Sequence, residues 1–333
     1  MNKNILVTGG AGFIGSSFVA QQVNKGKEVI VLDKLTYAGK KENLTWIDSN
    51  NYKLVVGDIN DKALLSKIFN EFKIDKLVHF AAESHVDNSI KNPDEFITTN
   101  INGTHCLLQA SLREFQKNPH FHFHHISTDE VFGDLELNGE DKFTETTPYN
   151  PSSPYSASKA ASDHLVRSYH RTYNLPITIS NCSNNYGPRQ HSEKLIPTII
   201  RKALAGEDIP IYGDGKNIRD WIHVDDHNRA VDLILERGQV GETYCIGGNC
   251  ELNNNQVVHK ICKILDELAP KANGISYQDQ ITFVEDRKGH DRRYAIDASK
   301  IEKELNHKNI ISFEAGINEL IMIALGKSAH DDF

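Results

Sequence analysis

Short apolar runs rich in β-branched residues recur along the first 180 positions of the chain, each followed by a longer stretch whose apolar residues fall at helical spacing. The runs are ILVTG from residue 5, EVIVLD at 28–33, YKLVVGD at 52–58, KLVHFAA at 76–82, FHFHHIS at 121–127 and LPITIS at 175–180. Strands that lack strict apolar–polar alternation are those buried on both faces, as when helices cover a parallel sheet from either side. The intervening patterns predict helices at 13–25, 61–72, 94–115 and 155–173. Alternation on this scale suits the crossovers of a doubly wound α/β fold, a Rossmann-type parallel sheet.

After residue 186 the rhythm loosens, and GPRQHSEKL, GEDIPIYGDGKNIRDW and GGNCELNNN supply loops between shorter helices. Loops gathered in this way line clefts. VDDHNRAVDLILERG followed by ETYCIG reads again as helix then strand, so the chain is expected to rejoin the first layer before leaving it. The expected domains therefore interleave. Residues 1–185 with about 219–245 form a cofactor-binding Rossmann domain, and about 186–218 with 246–333 form a smaller α/β domain for the substrate.

Composition narrows the function classes. The 333 residues are 39% apolar and 25% charged, an ordinary globular balance. A net charge of −8 with no basic run longer than two residues gives no electrostatic footprint for nucleic acid; a small anionic ligand would have to be met by a few placed amides and arginines. Five cysteines without a CxxC pair suggest neither a disulfide framework nor a zinc ribbon, but the reduced thiols of a cytoplasmic protein. The apolar start reaches glycine after three residues, too soon for a signal peptide, and the sequence contains no apolar run long enough to predict a membrane span.

The first strand runs into Gly9, Gly12 and Gly15, directly followed by an apolar helix. Glycines there let the backbone approach a pyrophosphate at a helix N-terminus, where unpaired amides and the helix dipole favour negative charge. The second strand ends in Asp33, eighteen residues after Gly15. An acid at that place accepts from both ribose hydroxyls of NAD and repels a 2′-phosphate, so NAD is favoured over NADP. Asp58, after the third strand, is a candidate acceptor for the adenine amino group.

Tyr155 and Lys159 form YxxxK, four residues apart on one helix face. A phenol titrates near 10, and a neighbouring ammonium is expected to favour the phenolate, a base able to take an alcohol proton as hydride leaves the carbon. The lysine is also a candidate to hold the nicotinamide ribose. Alone, YxxxK is a common surface pair; it gains meaning one element after a strand ending in Ser127 and Thr128, and behind a dinucleotide fingerprint.

TGGAGFIGS together with YSASK resembles the extended short-chain dehydrogenase/reductase superfamily. Within it, HHISTDEVFGD resembles the nucleotide-sugar 4,6-dehydratases, and AAESHVD, NCSNNYGP, EKLIP, IYGDGKNIRDW and DRKGHDRRYAID resemble those acting on dTDP-glucose. The resemblance implies an NAD-dependent lyase that converts dTDP-glucose to dTDP-4-keto-6-deoxyglucose and water. Close rivals are dehydratases of GDP-mannose or a UDP-sugar; an epimerase or decarboxylase is disfavoured by the Asp129 and Glu130 pair. Oxidation at C4 acidifies the C5 hydrogen, so elimination needs one carboxylate as base and one carboxylic acid as proton donor. Adjacent carboxyls repel, which pushes one pKa up. By resemblance Glu130 is the C5 base, Asp129 the C6 acid, and Thr128 bonds the C4 hydroxyl beside Tyr155.

The same resemblance implies cofactor contacts at Phe13, Ile14, Lys34, Thr36, Ile59, Ala81, Ala82, Ser84, Thr99 and Asn185, besides the glycines, Asp33, Asp58, Tyr155 and Lys159. Substrate contacts are implied at Ser84, His85, Asn184, Lys194, Leu195, Pro210, Tyr212, Arg219, Asn254, Arg287 and His290, with Tyr212 stacking on the base and the arginines meeting the diphosphate. A homodimer is implied, built on helices near 100–113 and 155–173. His120, His122 and His124 share one face of a strand, but no carboxylate or thiolate follows at ligand spacing; they are expected near the sheet edge, and no metal is expected. Two departures stand out: Phe132 where many relatives have tyrosine, and the ending HDDF in place of a longer aromatic tail.

Overall fold

The apolar runs form a parallel sheet. A computed structural model describes residues 4–48, 50–286 and 289–327. Its first half alternates as β1 (Asn4–Thr8), α1 (Phe13–Asn24), β2 (Val29–Asp33), β3 (Tyr52–Val56), α2 (Lys62–Phe72), β4 (Ile74–His79), α3 (Val86–Lys91), α4 (Asp94–Phe96), α5 (Thr104–Phe115), β5 (His122–Thr128), α6 (Pro154–Tyr173) and β6 (Ile177–Cys182). The second half runs β7 (Asn184–Tyr186), α7 (Leu195–Ala205), β8 (Ile209–Tyr212), β9 (Ile218–His223), α8 (Val224–Arg237), β10 (Thr243–Ile246), β11 (Glu251–Asn253), α9 (Asn254–Leu268), β12 (Ile281–Val284), α10 (Ser299–Leu305) and α11 (Phe313–Ala324).

Seven strands lie side by side in the order β3-β2-β1-β4-β5-β6-β10, all parallel. The strand period of two explains the unbroken apolar runs. Ile5, Val7, Val29 and Val31 pack with Phe18 of α1 and Val231 of α8 on one face, whereas Leu6, Ile30 and Leu32 pack with Leu65 of α2, Leu107 of α5 and Val166 of α6 on the other. Each fully buried aliphatic side chain contributes about 1.5–3 kcal/mol. A separate apolar cluster, including Ile199, Val257, Ile261 and Ile317, holds α7, α9 and α11 together.

Strand order reverses between β1 and β4, the place where an open α/β sheet leaves a crevice beyond its strand ends. The chain returns to this layer through α8 and β10. Ser17 donates to Asp225 at 2.7 Å, Gln22 to Asp232 at 2.7 Å, and the Asn228 amide to the Ile14 carbonyl at 3.1 Å, so α8 braces the glycine-rich turn from behind.

Helix ends follow local chemistry. Ser153 and Ser156 form a capping box at the start of α6, with Pro154 in its first turn, and Asp61 accepts from the amides of Ala63 and Leu64 at the start of α2. The helix expected over 94–115 contains a π-helical segment at Ile97–Gly103, which periodicity does not reveal. Its Asn100 side chain accepts from the Glu83 amide at 2.9 Å and donates to Ser158 at 2.8 Å, joining the β4 exit to α6.

The histidine-rich strand is not at the edge. β5 lies between β4 and β6 in the sheet interior, with His124 fully buried. Its ring nitrogens sit 2.8 Å from Thr178 Oγ1 and 3.1 Å from Ser180 Oγ, and His122 Nε2 lies 2.8 Å from the same Thr178. Hydroxyls on the neighbouring strand satisfy rings that would otherwise need water. Among the described residues no group of three or more His, Cys, Asp or Glu is placed to hold a metal, and no helix is long and apolar enough to cross a membrane.

Candidate active site

The turn from β1 into α1 is a backbone cradle. Gly9 adopts φ +70°, and a Cβ there would lie 2.6 Å from the Ala81 amide nitrogen; on Gly15 it would lie 2.2 Å from the Gly9 carbonyl oxygen. Such close approach leaves amides facing outward at a helix start, which fits a dinucleotide pyrophosphate. Asp33 closes one side. Its Oδ2 accepts from the Ala11 amide and its Oδ1 from the Leu35 amide, each at 2.9 Å. Burial raises its pKa and the two amides oppose that, while each oxygen keeps a lone pair for a further donor.

Around the cradle, Phe13 and Ile14 open α1, Lys34 pairs with Asp58 at 2.9 Å, and Ile59 is buried against the π-helical segment that carries Thr99. Ala81, Ala82 and the exposed Ser84 follow β4, and Thr36 is exposed after β2. The second half reaches across to this side. The Arg189 guanidinium stacks 4.1 Å over the Trp46 ring, and His191 meets Tyr37 edge-on with centroids 5.6 Å apart.

The candidate catalytic residues converge at the end of β5. Thr128 is its last residue and accepts from the Glu130 amide at 3.3 Å, starting a 3₁₀ turn over Asp129–Phe132. Asp129 is 2% exposed. Burial holds its pKa well above the ordinary carboxylate range, Glu130 and Asp220 add to this, and Arg219 and Thr128 oppose it. Asp129 is therefore biased towards the protonated form. The neighbouring-carboxylate effect expected from sequence is present but ranks behind burial.

Tyr155 and Lys159 face this turn from the first two turns of α6. The phenolate expected from the YxxxK spacing is not the resting form of Tyr155. The Lys159 ammonium donates to the Ile126 carbonyl at 2.7 Å, and Tyr155 is held well above 10, by burial first and then by Glu130, with only the Thr128 hydrogen bond pulling back. The resting phenol is neutral because desolvation dominates, and the Lys159 ammonium is engaged by the Ile126 carbonyl. Burial also lowers the Lys159 pKa, while Asp163 and Cys182 act against that.

The second half supplies the far wall. Arg219 is buried, donates to the carbonyls of Ile218 at 2.8 Å and Asp291 at 3.0 Å, and lies 4.2 Å over the Tyr294 ring. Asn184 opens β7, and Asn185 donates to the Ser183 carbonyl at 3.1 Å with its Oδ1 buried and unpartnered. Lys194 and Leu195 begin α7, Pro210 and the exposed Tyr212 lie on β8, and Asn254 begins α9. His85 Nε2 is 3.4 Å from Glu193, and His290 Nδ1 is 2.7 Å from Asp286. Arg287 lies outside the described residues.

Residues 6–320 match the family model described as GDP-mannose 4,6 dehydratase. The chain belongs to this family. The dTDP-glucose 4,6-dehydratase of Neisseria gonorrhoeae is 55% identical over 328 residues, covering 96% of this chain and 94% of the relative; that of Salmonella typhimurium is 53% identical, covering 95% and 91%. A crystal structure of a dTDP-glucose 4,6-dehydratase from Streptomyces venezuelae with NAD bound superposes with a TM-score of 0.88 at 44% identity, covering 97% of each chain. A UDP-glucose 4-epimerase from Thermotoga maritima follows at 0.86 and 31%, covering 97% and 99%.

Against this family background, the fold brings several residues to the centre that motif reading did not single out. Tyr294, buried, hydrogen-bonds Asp291 and is raised in pKa by burial and Glu130. Asp220 is held by the amides of Gly248 at 2.9 Å and Cys250 at 2.8 Å, and the Asn181 amide donates to the Thr128 carbonyl at 3.0 Å. Asp220 and Tyr294 do sit within IYGDGKNIRDW and DRKGHDRRYAID, stretches the resemblance already marked.

Proposed function

We propose that the chain is an NAD-dependent hydro-lyase converting dTDP-glucose to dTDP-4-keto-6-deoxyglucose and water. The observation that carries this is the Asp129–Glu130 pair directly after Thr128, opposite Tyr155, with Asp129 buried and its pKa raised by that burial. A dehydrogenase that only oxidises C4 has no use for a protonated acid there.

Bound NAD supplies the acceptor for the C4 hydride and returns it at C6. Tyr155 takes the C4 hydroxyl proton, and Thr128 holds that hydroxyl in place; because the resting phenol is neutral, it must first lose its own proton to solvent and act as the phenolate. Lys159 contributes a buried positive charge beside it. With C4 a ketone, Glu130 removes the C5 proton and Asp129 protonates the departing C6 hydroxyl, so that water leaves and a C5–C6 double bond forms. Glu130 then returns the proton to C5 as C6 is reduced. Arg219, Lys194, Asn184, Asn254, Arg287 and His290 are assigned to the diphosphate and sugar, and Tyr212 with Pro210 and Leu195 to the base. Residues 1–185 with about 219–245 form the cofactor half, and two copies pair through α5 and α6.

dTDP-glucose is preferred over GDP-mannose because relatives at 51–55% identity carry the dTDP-glucose name. Incubation with dTDP-glucose, GDP-mannose and UDP-glucose in turn should give the alkaline absorbance of a keto sugar, and a product lighter by one water, only with the first. Tyr155→Phe should abolish turnover and spare NAD binding. A product of unchanged mass would make the chain an epimerase instead, and undiminished turnover by Tyr155→Phe would remove the assigned base.

A further inference from the structure

Beneath the reacting groups lies a buried polar network that the scheme above does not use. Asp163 follows Lys159 by one helical turn on α6 and is fully buried. Its Oδ2 accepts from Ser127 at 2.8 Å and from the Tyr149 hydroxyl at 2.8 Å, and His125 Nε2 lies 3.1 Å from its Oδ1. Ser127 is the residue before Thr128, and Lys159 itself grips the carbonyl of Ile126, one residue earlier. Two charges of opposite sign on consecutive turns of α6 thus hold consecutive residues of β5.

A carboxylate sealed from water needs a countercharge, as does a buried ammonium. His125 does not supply it: burial lowers its pKa to about 4, so the ring is neutral. Tyr149 is neutral as well, its pKa raised by burial and by Asp163. Arg167 donates to the Tyr149 hydroxyl at 2.8 Å and to Thr243 at 2.9 Å, and is only partly buried. The groups that face Lys159 are Asp163 and Tyr155 on its own helix, His125 on β5, His79 on β4 and Cys182 on β6. Of these only Asp163 is ionised to negative charge at neutral pH.

We propose that Asp163 is a positioning residue for the reaction: it is the buried countercharge that keeps Lys159 an ammonium beside Tyr155 while tethering Ser127 behind Thr128. This rests on the assignment of Lys159 to the reacting centre. The sign follows from linkage. Lys159 acts as the cation, so its contribution persists below its pKa and is lost as pH rises through it; removing the anion moves that loss to lower pH.

The test reads the C4 oxidation step alone, in single turnover of the NAD-loaded enzyme with dTDP-glucose, as a function of pH. Asp163→Asn should shift the alkaline limb of that rate down by about one pH unit or more, whereas Tyr149→Phe, which removes a hydrogen bond and no charge, should leave it in place. An unmoved limb in Asp163→Asn overturns the proposal, and so does an equal shift in both variants. Thermal unfolding provides a second arm, independent of catalysis and of the substrate assignment. Lys159→Met and Asp163→Asn singly each strand one buried charge, so the double variant should melt no lower than the worse single one. It should also fold if Asp163→Asn alone does not. Additive losses, or a double variant that fails to fold where Lys159→Met folds, overturn it.

Discussion

Thr128 Oγ1 donates to Asp129 Oδ1 at 3.3 Å, while the second oxygen of that carboxyl, Oδ2, is buried without a partner. A carboxyl whose pKa burial raises, with one oxygen engaged and the other unpaired, is placed to carry a proton. Asp129→Asn keeps the shape and removes the acid, so C6 dehydration should slow by about 10²- to 10⁴-fold, the usual share of a general acid. C4 oxidation should persist, seen as transient reduced-cofactor absorbance in a single turnover. In the proposed scheme Asp129 acts protonated, and its pKa is raised, so wild-type elimination should fade as pH rises through that pKa. The variant should lack this limb; dehydration at the wild-type rate would place the acid elsewhere.

Glu130 stands one residue further round the turn and, unlike Asp129, is only partly buried. Its access to water suits a group that must both take and return a proton. Glu130→Gln should slow exchange of the C5 hydrogen in deuterium oxide by about 10²-fold or more and still permit C4 oxidation. Exchange at the normal rate, followed by NMR of the recovered sugar, would assign the base to another group.

The glycine cradle yields a prediction about binding instead of chemistry. A Cβ on Gly15 would stand 2.2 Å from the Gly9 carbonyl oxygen and 2.9 Å from the Gly10 Cα, both backbone atoms that cannot swing aside. On Gly12 it would meet only the Gly9 carbonyl, at 3.2 Å. Gly15→Ala should therefore destabilise the NAD-free protein by about 1–3 kcal/mol, and Gly12→Ala by less. Calorimetry of both stripped proteins checks the order, and the NAD that copurifies with Gly15→Ala should fall sharply.

These expectations show where sequence was readable. The sheet was legible because strands covered on both faces carry continuous apolar runs, and the cradle because Gly9, Gly12, Gly15 and Asp33 act through local spacing. The histidines of β5 were misplaced because polarity suggests exposure; Thr178 and Ser180, some fifty residues away, satisfy them inside the sheet. The Tyr155–Lys159 spacing was legible, whereas the neutral resting phenol was not, since its surroundings depend on Thr128, Glu130 and Phe96 arriving from distant segments. Asp163 carried no motif of its own. Its meaning comes from Ser127, Tyr149 and His125, which only the folded chain brings to it.

The last prediction concerns acid stability. Burial holds His79 and His124 well below 6.5 and brings His122, His125 and His227 down to about 4. The unfolded chain takes up these protons near pH 6.5, before the native state does, so the stability these rings contribute is whole above 6.5 and is lost as pH falls towards 4. Each ring costs about 1.4 kcal/mol per pH unit across that window. Asp163, lowered below 3.8, acts only beneath it; Asp129, raised well above 3.8, and Asp33, Glu83, Glu114 and Asp220, also raised, act in the opposite sense and temper the slope set by the five rings without sharing its cause. The melting temperature should therefore fall steeply between pH 6.5 and 4, and His227→Gln, which removes one buried ring, should flatten that slope. A melting temperature level from pH 7 to 5 would mean that these histidines are already charged in the native protein, and the buried hydroxyl network around β5 would have to be redrawn.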